Sequence, residues 1–376
     1  MNILYLCEKT DGSDGWSRYT GDLKKNLETR VHKIYLCERK SHIPIPHPLQ
    51  MLTRPFLAPI LAWKLRKIIK EFQPDIIHIT VEPYALIVPF LPKQIQKKIV
   101  LTLHGSYAVR PLFMWQTRWL ACQYYKRIPR FITVSHYTKK RVLEELEKMG
   151  KQNIAIIVNE HTTVIYNGVN IRPFLPPLPN PPPRGKGNIR TILHVGGIKP
   201  IKGVLETLAA CAVYRDQFSS NFHLSIIGRY DPSDIYVKKV RARIAELHLE
   251  NHVTLRGFVP EQELQKAYQS ADLLLLPSQT SFNTFEGFGL VFLEANACGV
   301  PVIGPNDSGA AEAIHEGANG FRVDPTNPTQ IAERMHWILN EYRIDPLHCW
   351  EWAKRHDIEH AATQVENVYG SMTTVV

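Results

Sequence analysis

The most constraining feature of this sequence is a rhythm that runs through it twice. Short runs of β-branched and aliphatic residues alternate with stretches whose apolar residues recur every three or four positions. A parallel sheet flanked by helices satisfies such alternation, because parallel neighbours need a crossover connection. In the first half, strands are predicted at Asn2–Cys7, Val31–Leu36, Asp75–Thr80, Lys98–Leu103 and Phe131–Val134, and helices at Trp16–Thr29, Ala58–Phe72 and His136–Met149. The second half predicts strands at Thr191–Val195, His223–Ile227, Val253–Arg256, Leu273–Leu276 and Pro301–Ile303. Its helices are predicted at Val204–Arg215, Ile235–Leu247, Glu261–Gln269 and Gly289–Cys298, with more across Pro328–Met372. Between the halves lies Pro173–Gly187, PFLPPLPNPPPRGKG, with seven prolines in fifteen residues. That composition is stiff and extended, and reads as a linker. Two α/β domains joined in this way place a ligand cleft between the carboxyl ends of their sheets.

Several classes are disfavoured. No apolar run reaches the ~18 residues of a membrane-spanning helix. The nearest, Ile76–Leu91, is broken by His78, Glu82, Pro83 and Pro89. The opening MNILYLCEKTDG lacks the basic flank and cleavage site of a secretory leader. Six scattered cysteines without a CxxC pair fit reduced thiols, and with them a cytoplasmic protein. Charge is divided unevenly. Residues 1–170 carry 26 Lys and Arg against 13 Asp and Glu, whereas residues 171–376 carry 19 against 22. The surplus therefore belongs to the first half, where it suits nucleic acid, an anionic membrane or a phosphorylated substrate.

The chemistry concentrates in Phe285–Pro305, FEGFGLVFLEANACGVPVIGP. Glu286 follows a strand on a loop rich in Ser, Thr, Asn and Gly, and Glu294 falls in a helix that is apolar on nearly every face. An ionised carboxylate buried there requires a partner. The partner is a ligand, a structural cation or backbone amides.

This stretch resembles the paired-glutamate motif of retaining glycosyltransferase family 4, enzymes with the GT-B fold. LHVGGIKPIKG (Leu193–Gly203) resembles that family's glycine–lysine loop, and LRGFVPEQELQKAYQSADLLLLPS (Leu255–Ser278) its later strand–helix–strand segment. VIYNGVN (Val164–Asn170), LTLHG and ITVSHYTKK match further points in the first half. The resemblance covers almost the whole chain. It implies an α/β GT-B architecture of two Rossmann-like parallel-sheet domains facing a central cleft. The boundaries expected are an acceptor domain at 1–170, a linker at 171–188, a nucleotide-sugar domain at 189–355, and a C-terminal helix at 356–376 crossing back to the first domain.

The resemblance also assigns roles. Glu294 would accept hydrogen bonds from the ribose hydroxyls of a UDP-, GDP- or ADP-linked sugar. Glu286, with the backbone of Gly287, Phe288, Gly289 and Leu290, would hold the transferred sugar. Lys202 would neutralise the departing diphosphate; read without the resemblance, it is as readily a solvated lysine at a helix start. Gly15, in DGSDGWSRY, matches a first-loop glycine that lets backbone approach the substrates. His104, in LTLHG, matches a position near acceptor and sugar, although a lone histidine at a strand end is as often structural.

One position departs from the pattern. The family's loop usually has arginine where this chain has Gly197, so Lys199 or Arg229 is expected to supply the missing cation. No DxD triplet occurs, and the expected reaction needs no metal and no cofactor beyond the nucleotide-sugar co-substrate. The acceptor, a saccharide or lipid-linked saccharide of envelope, exopolysaccharide or glycolipid synthesis, is expected at the basic first domain. In Ala58–Phe72, Leu61, Leu65, Ile68 and Ile69 form one face with Lys64, Arg66, Lys67 and Lys70 around it. That is either a peripheral helix on an anionic membrane or an amphipathic helix packed inside its own domain. Competing readings are a degenerate GT-B nucleotide binder, a sugar-nucleotide epimerase and a glycoside phosphorylase. A nucleic-acid binder lacks a recognition motif.

Overall fold

In a computed structural model, the structure describes residues 1–12, 14–30, 32–39, 45–172, 189–341 and 344–373. The proline-rich stretch read as a linker lies outside the described residues. The chain forms two compact units, Met1–Asn170 with Asp357–Val376, and Ile171–His356.

The first unit holds a six-stranded parallel sheet. Its strands are β1 (Asn2–Leu6), β2 (Lys33–Cys37), β3 (Ile76–Ile79), β4 (Ile99–Leu103), β5 (Arg130–Thr133) and β6 (Thr162–Val164), in the order β2-β1-β3-β4-β5-β6. Every residue of β3 and β4 is buried, as expected of central parallel strands covered on both faces. The helix Gly15–Glu28 starts at Asp14, whose carboxylate accepts the Ser17 amide while the Ser17 hydroxyl accepts the Asp14 amide. This reciprocal cap fixes where the chain leaves the loop after β1.

The helix Leu57–Phe72 decides between its two readings. Leu61, Leu65, Ile68 and Ile69 are all buried, at most 7% exposed, and the helix packs on the 3-10 segment Glu82–Phe90. That face is core, and it is not available to a membrane. The C-terminal helix Ile358–Thr373 also belongs to this core, packing with Ile3, Tyr5, Leu23 and Leu27. Its Tyr369 hydroxyl lies 2.6 Å from Nδ1 of the buried His78, whose Nε2 lies 2.7 Å from Thr102 Oγ1. Burial depresses His78 to about 3, so the ring is neutral and links the final helix to β3 and β4 by hydrogen bonds alone.

The second unit repeats the plan. Its strands are β7 (Arg190–Val195), β8 (Phe222–Ile227), β9 (Val253–Gly257), β10 (Leu273–Leu275), β11 (Val302–Pro305) and β12 (Gly320–Val323), in the order β12-β11-β10-β7-β8-β9. All pairings are parallel. The chain builds outward from β7 to β9, returns to β10 and builds the other way. Order therefore reverses between β7 and β10, and in the first unit between β1 and β3. Such reversal points open a crevice at the carboxyl ends of the two adjacent strands.

Two glycines permit close approach of loops there. A Cβ on Gly228 would sit 1.9 Å from the Gly196 carbonyl oxygen. Gly203, at φ +68°, would place one 2.0 Å from the Pro277 oxygen.

Candidate functional site

At the reversal point of the second unit, the chain leaves β7 through Gly196 and Gly197 into the short 3-10 turn Pro200–Lys202. It leaves β10 through a long loop that ends in Phe285, Glu286 and Gly287. Because β7 and β10 are parallel neighbours, these loops emerge side by side. Lys202 Nζ meets Glu286 Oε2 at 2.7 Å, with both side chains about one-fifth exposed. The structure thus brings together two predicted site residues from separate motifs. The Glu286 carbonyl also accepts the Gly309 amide, tying the loop to the segment after β11.

Gly287, Phe288 and Gly289 are buried, and Leu290 opens the helix Leu290–Ala297. Gly289 takes a left-handed conformation, φ 76°, and no side chain caps the helix start. Glu294 is 7% exposed. Its Oε2 accepts a 2.7 Å hydrogen bond from the Tyr268 hydroxyl, on the helix Glu261–Ser270. Tyr268 was not anticipated. Nothing in the local pattern of that helix distinguishes it from a core tyrosine, and only the tertiary contact does.

The expected substitutes for the missing arginine differ in placement. A side chain begun at Gly197 would have its Cβ 3.3 Å from the Arg229 carbonyl oxygen and 3.9 Å from Lys199 Cε, so both residues border the vacated position, the arginine through its backbone and the lysine through its side-chain stem. Arg229 is exposed, and its guanidinium lies over the Phe258 ring, 4.3 Å from the centroid.

The reversal point of the first unit gathers a second group. His104 follows β4, with its Nε2 3.0 Å from the Thr80 carbonyl. A carbonyl only accepts, so Nε2 carries the proton and Nδ1 keeps its lone pair. Burial lowers this histidine to about 4, and its ring meets Tyr19 edge-on at 4.6 Å. Gly15 is the first residue of its helix, with open space where a Cβ would stand. No packing requirement for glycine exists there.

Glu82, just beyond β3, was missed as a site residue. It is fully buried, and its Oε1 accepts the His104 amide at 2.6 Å. Oε2 is among the buried side-chain atoms without a hydrogen-bond partner. Burial raises this carboxyl to about 7, opposed by its own amide, the His104 amide, the Trp16 indole and the Gly105 amide. The sequence presented Glu82 only as an interruption of an apolar run.

Comparison with known proteins follows the same division. Residues 182–364 match the family "Glycosyl transferases group 1", and residues 13–172 match "Glycosyltransferase Family 4". The chain belongs to glycosyltransferase family 4. Among relatives of this family 4 chain, D-inositol 3-phosphate glycosyltransferase of Thermobispora bispora is 32% identical over 45% of the chain and 40% of its own length. Amylovoran biosynthesis glycosyltransferase AmsK of Erwinia amylovora is 33% identical over 35% of the chain and 31% of its own. The matched segment therefore spans well under half of either relative. Among solved structures, Anabaena HepE in complex with UDP-glucose superposes with a TM-score of 0.72 at 21% identity, covering 99% of this chain and 100% of that one. The fold is GT-B.

Glu82 gives this glycosyltransferase family member a signed pH dependence. Its folded pKa, about 7, lies above the ordinary 4.5. Its contribution to stability is therefore complete below about 4.5 and lost as pH rises through about 7. Glu82→Gln, which cannot ionise, is expected to gain stability relative to the native chain between pH 5 and 8, by up to roughly 3 kcal/mol. Urea unfolding at both pH values measures it, and a pH-independent difference contradicts the assignment.

Proposed function

We propose that this chain is a retaining glycosyltransferase that moves a sugar from a nucleotide-sugar donor to a saccharide or lipid-linked acceptor, in envelope, exopolysaccharide or glycolipid synthesis. The observation that carries the reading is the Lys202–Glu286 pair at a strand-order reversal, with Glu294 in the helix just beyond. A nucleotide sugar presents a vicinal ribose diol, a diphosphate and a sugar, and these residues offer a matching series of groups. The named activities of the two relatives and the UDP-glucose held by HepE support a donor of this class.

In this reading Glu294 accepts ribose hydroxyls, and Tyr268 orients its carboxylate. Lys202 meets the diphosphate, where negative charge grows as the glycosidic bond breaks and a prepositioned cation has most effect. As Lys202 turns to phosphate, Glu286 is released to accept hydroxyls of the transferred sugar. Retention follows from same-face displacement. The acceptor oxygen bonds to the anomeric carbon, the carbon–oxygen bond to phosphate breaks, and the acceptor proton passes to the departing phosphate oxygen. His104, neutral with Nδ1 available, accepts a sugar hydroxyl. Charge neutralisation rests on lysines, with neither a metal nor a cofactor invoked, in keeping with the missing DxD triplet. Lys199 takes the part of the absent arginine, because its stem stands beside Gly197 while Arg229 lies on Phe258.

A panel of UDP-, GDP- and ADP-sugars is expected to include one that raises the melting temperature, as any ligand of the native state must. With its nucleoside diphosphate, Glu294→Ala and Lys199→Ala are each expected to weaken binding about tenfold, and Arg229→Ala by less than threefold. Calorimetric titration decides it, and unchanged affinity in the first two variants rejects the assignment.

The reading includes a cytoplasmic location and an anionic membrane surface near the acceptor. No helix among the described residues is long and apolar enough to cross a membrane. Peripheral contact is supported by Phe56, Ile60 and Trp63, 63%, 48% and 71% exposed. Phe56 caps the helix start, and Ile60 and Trp63 follow at one-turn spacing along the helix whose other face is core, a spacing that Lys67 and Lys70 continue. Flotation with phosphatidylglycerol vesicles at low salt is expected to carry the native chain and to leave a Phe56→Ser/Trp63→Ser variant behind. Equal flotation of both removes this stripe from the account.

A further inference from the structure

The first unit holds a concavity of about 730 Å³, lined by none of the site residues named above, between the helix Trp115–Arg127 and residues 149–157. That volume is within the usual range for a small-ligand pocket. Two tryptophans on one helix face, a turn apart, stand at it: Trp115 is 86% exposed and Trp119 64%. Indoles left to water in this way are uncommon, since burial of so large a ring is strongly favourable.

The remaining lining is cationic and polar. Arg118, Lys126 and Lys151 line the pocket with no carboxylate among its residues. Arg118 is held in place by the Leu112 carbonyl at 2.9 Å. Lys126 and Lys151 make no ion pair among the described residues, so their charge is uncompensated. The field is felt locally: burial raises the Cys122 thiol, and Lys151 and Arg118 are the main groups pulling it back. Gln123, Gln152 and Asn153 add amides that both donate and accept.

We propose that this pocket binds an acidic oligosaccharide, stacking a sugar ring on Trp115 and Trp119 and pairing its carboxylate or phosphate with Lys126 and Lys151. The apolar face of a pyranose ring suits an indole, its hydroxyls suit the amides, and its acid group suits the unpaired lysines. A lipid surface would be served by a convex apolar rim. The concavity and its amides fit a discrete polar ring better. The pocket shares no residue with those assigned to transfer, and the proposal stands or falls independently of the donor reading.

The test uses the full chain and tryptophan fluorescence, with tetragalacturonate as the acidic probe and maltotetraose as its neutral counterpart. Tetragalacturonate is expected to bind at low salt and to weaken as salt rises. Maltotetraose should bind at least about tenfold more weakly. Trp119→Ala and the double variant Lys126→Ala/Lys151→Ala should each lose about tenfold, a scale set by one stacking contact or one charge-assisted contact. The double variant should also lose most of the salt dependence. These side chains are exposed, so folding should be unaffected, and Ile235→Ala, at an exposed residue outside the pocket, should bind as the native chain does. The proposal is overturned if tetragalacturonate does not bind, if both oligosaccharides bind equally, or if the pocket variants bind unchanged. It is equally overturned if inorganic phosphate binds as tightly as tetragalacturonate, or if only phosphatidylglycerol vesicles bind in a Trp119-dependent way.

Discussion

A lysine and a glutamate 84 residues apart in sequence meet at 2.7 Å because the strands before them are parallel neighbours. Most of what can be said about the second unit depends on that contact. Parallel pairing of β7 with β10 brings two loops out at one end of the sheet, and the reversal of strand order there leaves no further strand between them. A cation in such a place would be costly without a counter-charge. Glu286 supplies one, and in the proposed reading an anionic ligand takes its place.

The same logic explains why glycines crowd these loops. Gly228 and Gly203 allow backbone segments from different strands to pass within contact of each other, and Gly289 turns the chain left-handed into the helix that carries Glu294. In the first unit, Glu82 ties the His104 amide to the segment after β3, while His78 and Tyr369 anchor the C-terminal helix. Polar groups buried at the sheet end thus hold the loops where the sheet alone would leave them loose.

Much of this was legible in sequence, for a physical reason. Alternating strands and helices carry their own periodicity, so the pattern locates ten of the twelve strands among the described residues. The two overlooked, β6 and β12, are short, and their immediate surroundings hold no long apolar run. Glu286 and Glu294 stand out as charges in apolar or glycine-rich settings, whereas Lys202 is singled out only by the family resemblance. Tyr268 and Glu82 do not stand out, because a tyrosine in an amphipathic helix and a glutamate before a proline look ordinary until the fold buries them beside a partner. The basic helix stays ambiguous in sequence. Its regular apolar face is what any core helix shows, and only packing tells which side faces water.

The most direct test of the central claim is a crystal structure of the chain with a nucleotide sugar bound. The account predicts Lys202 Nζ within hydrogen-bonding distance of the diphosphate and the Glu294 carboxylate accepting the ribose hydroxyls. A nucleotide bound elsewhere, with the Lys202–Glu286 pair still closed and Glu294 meeting protein groups alone, would contradict it.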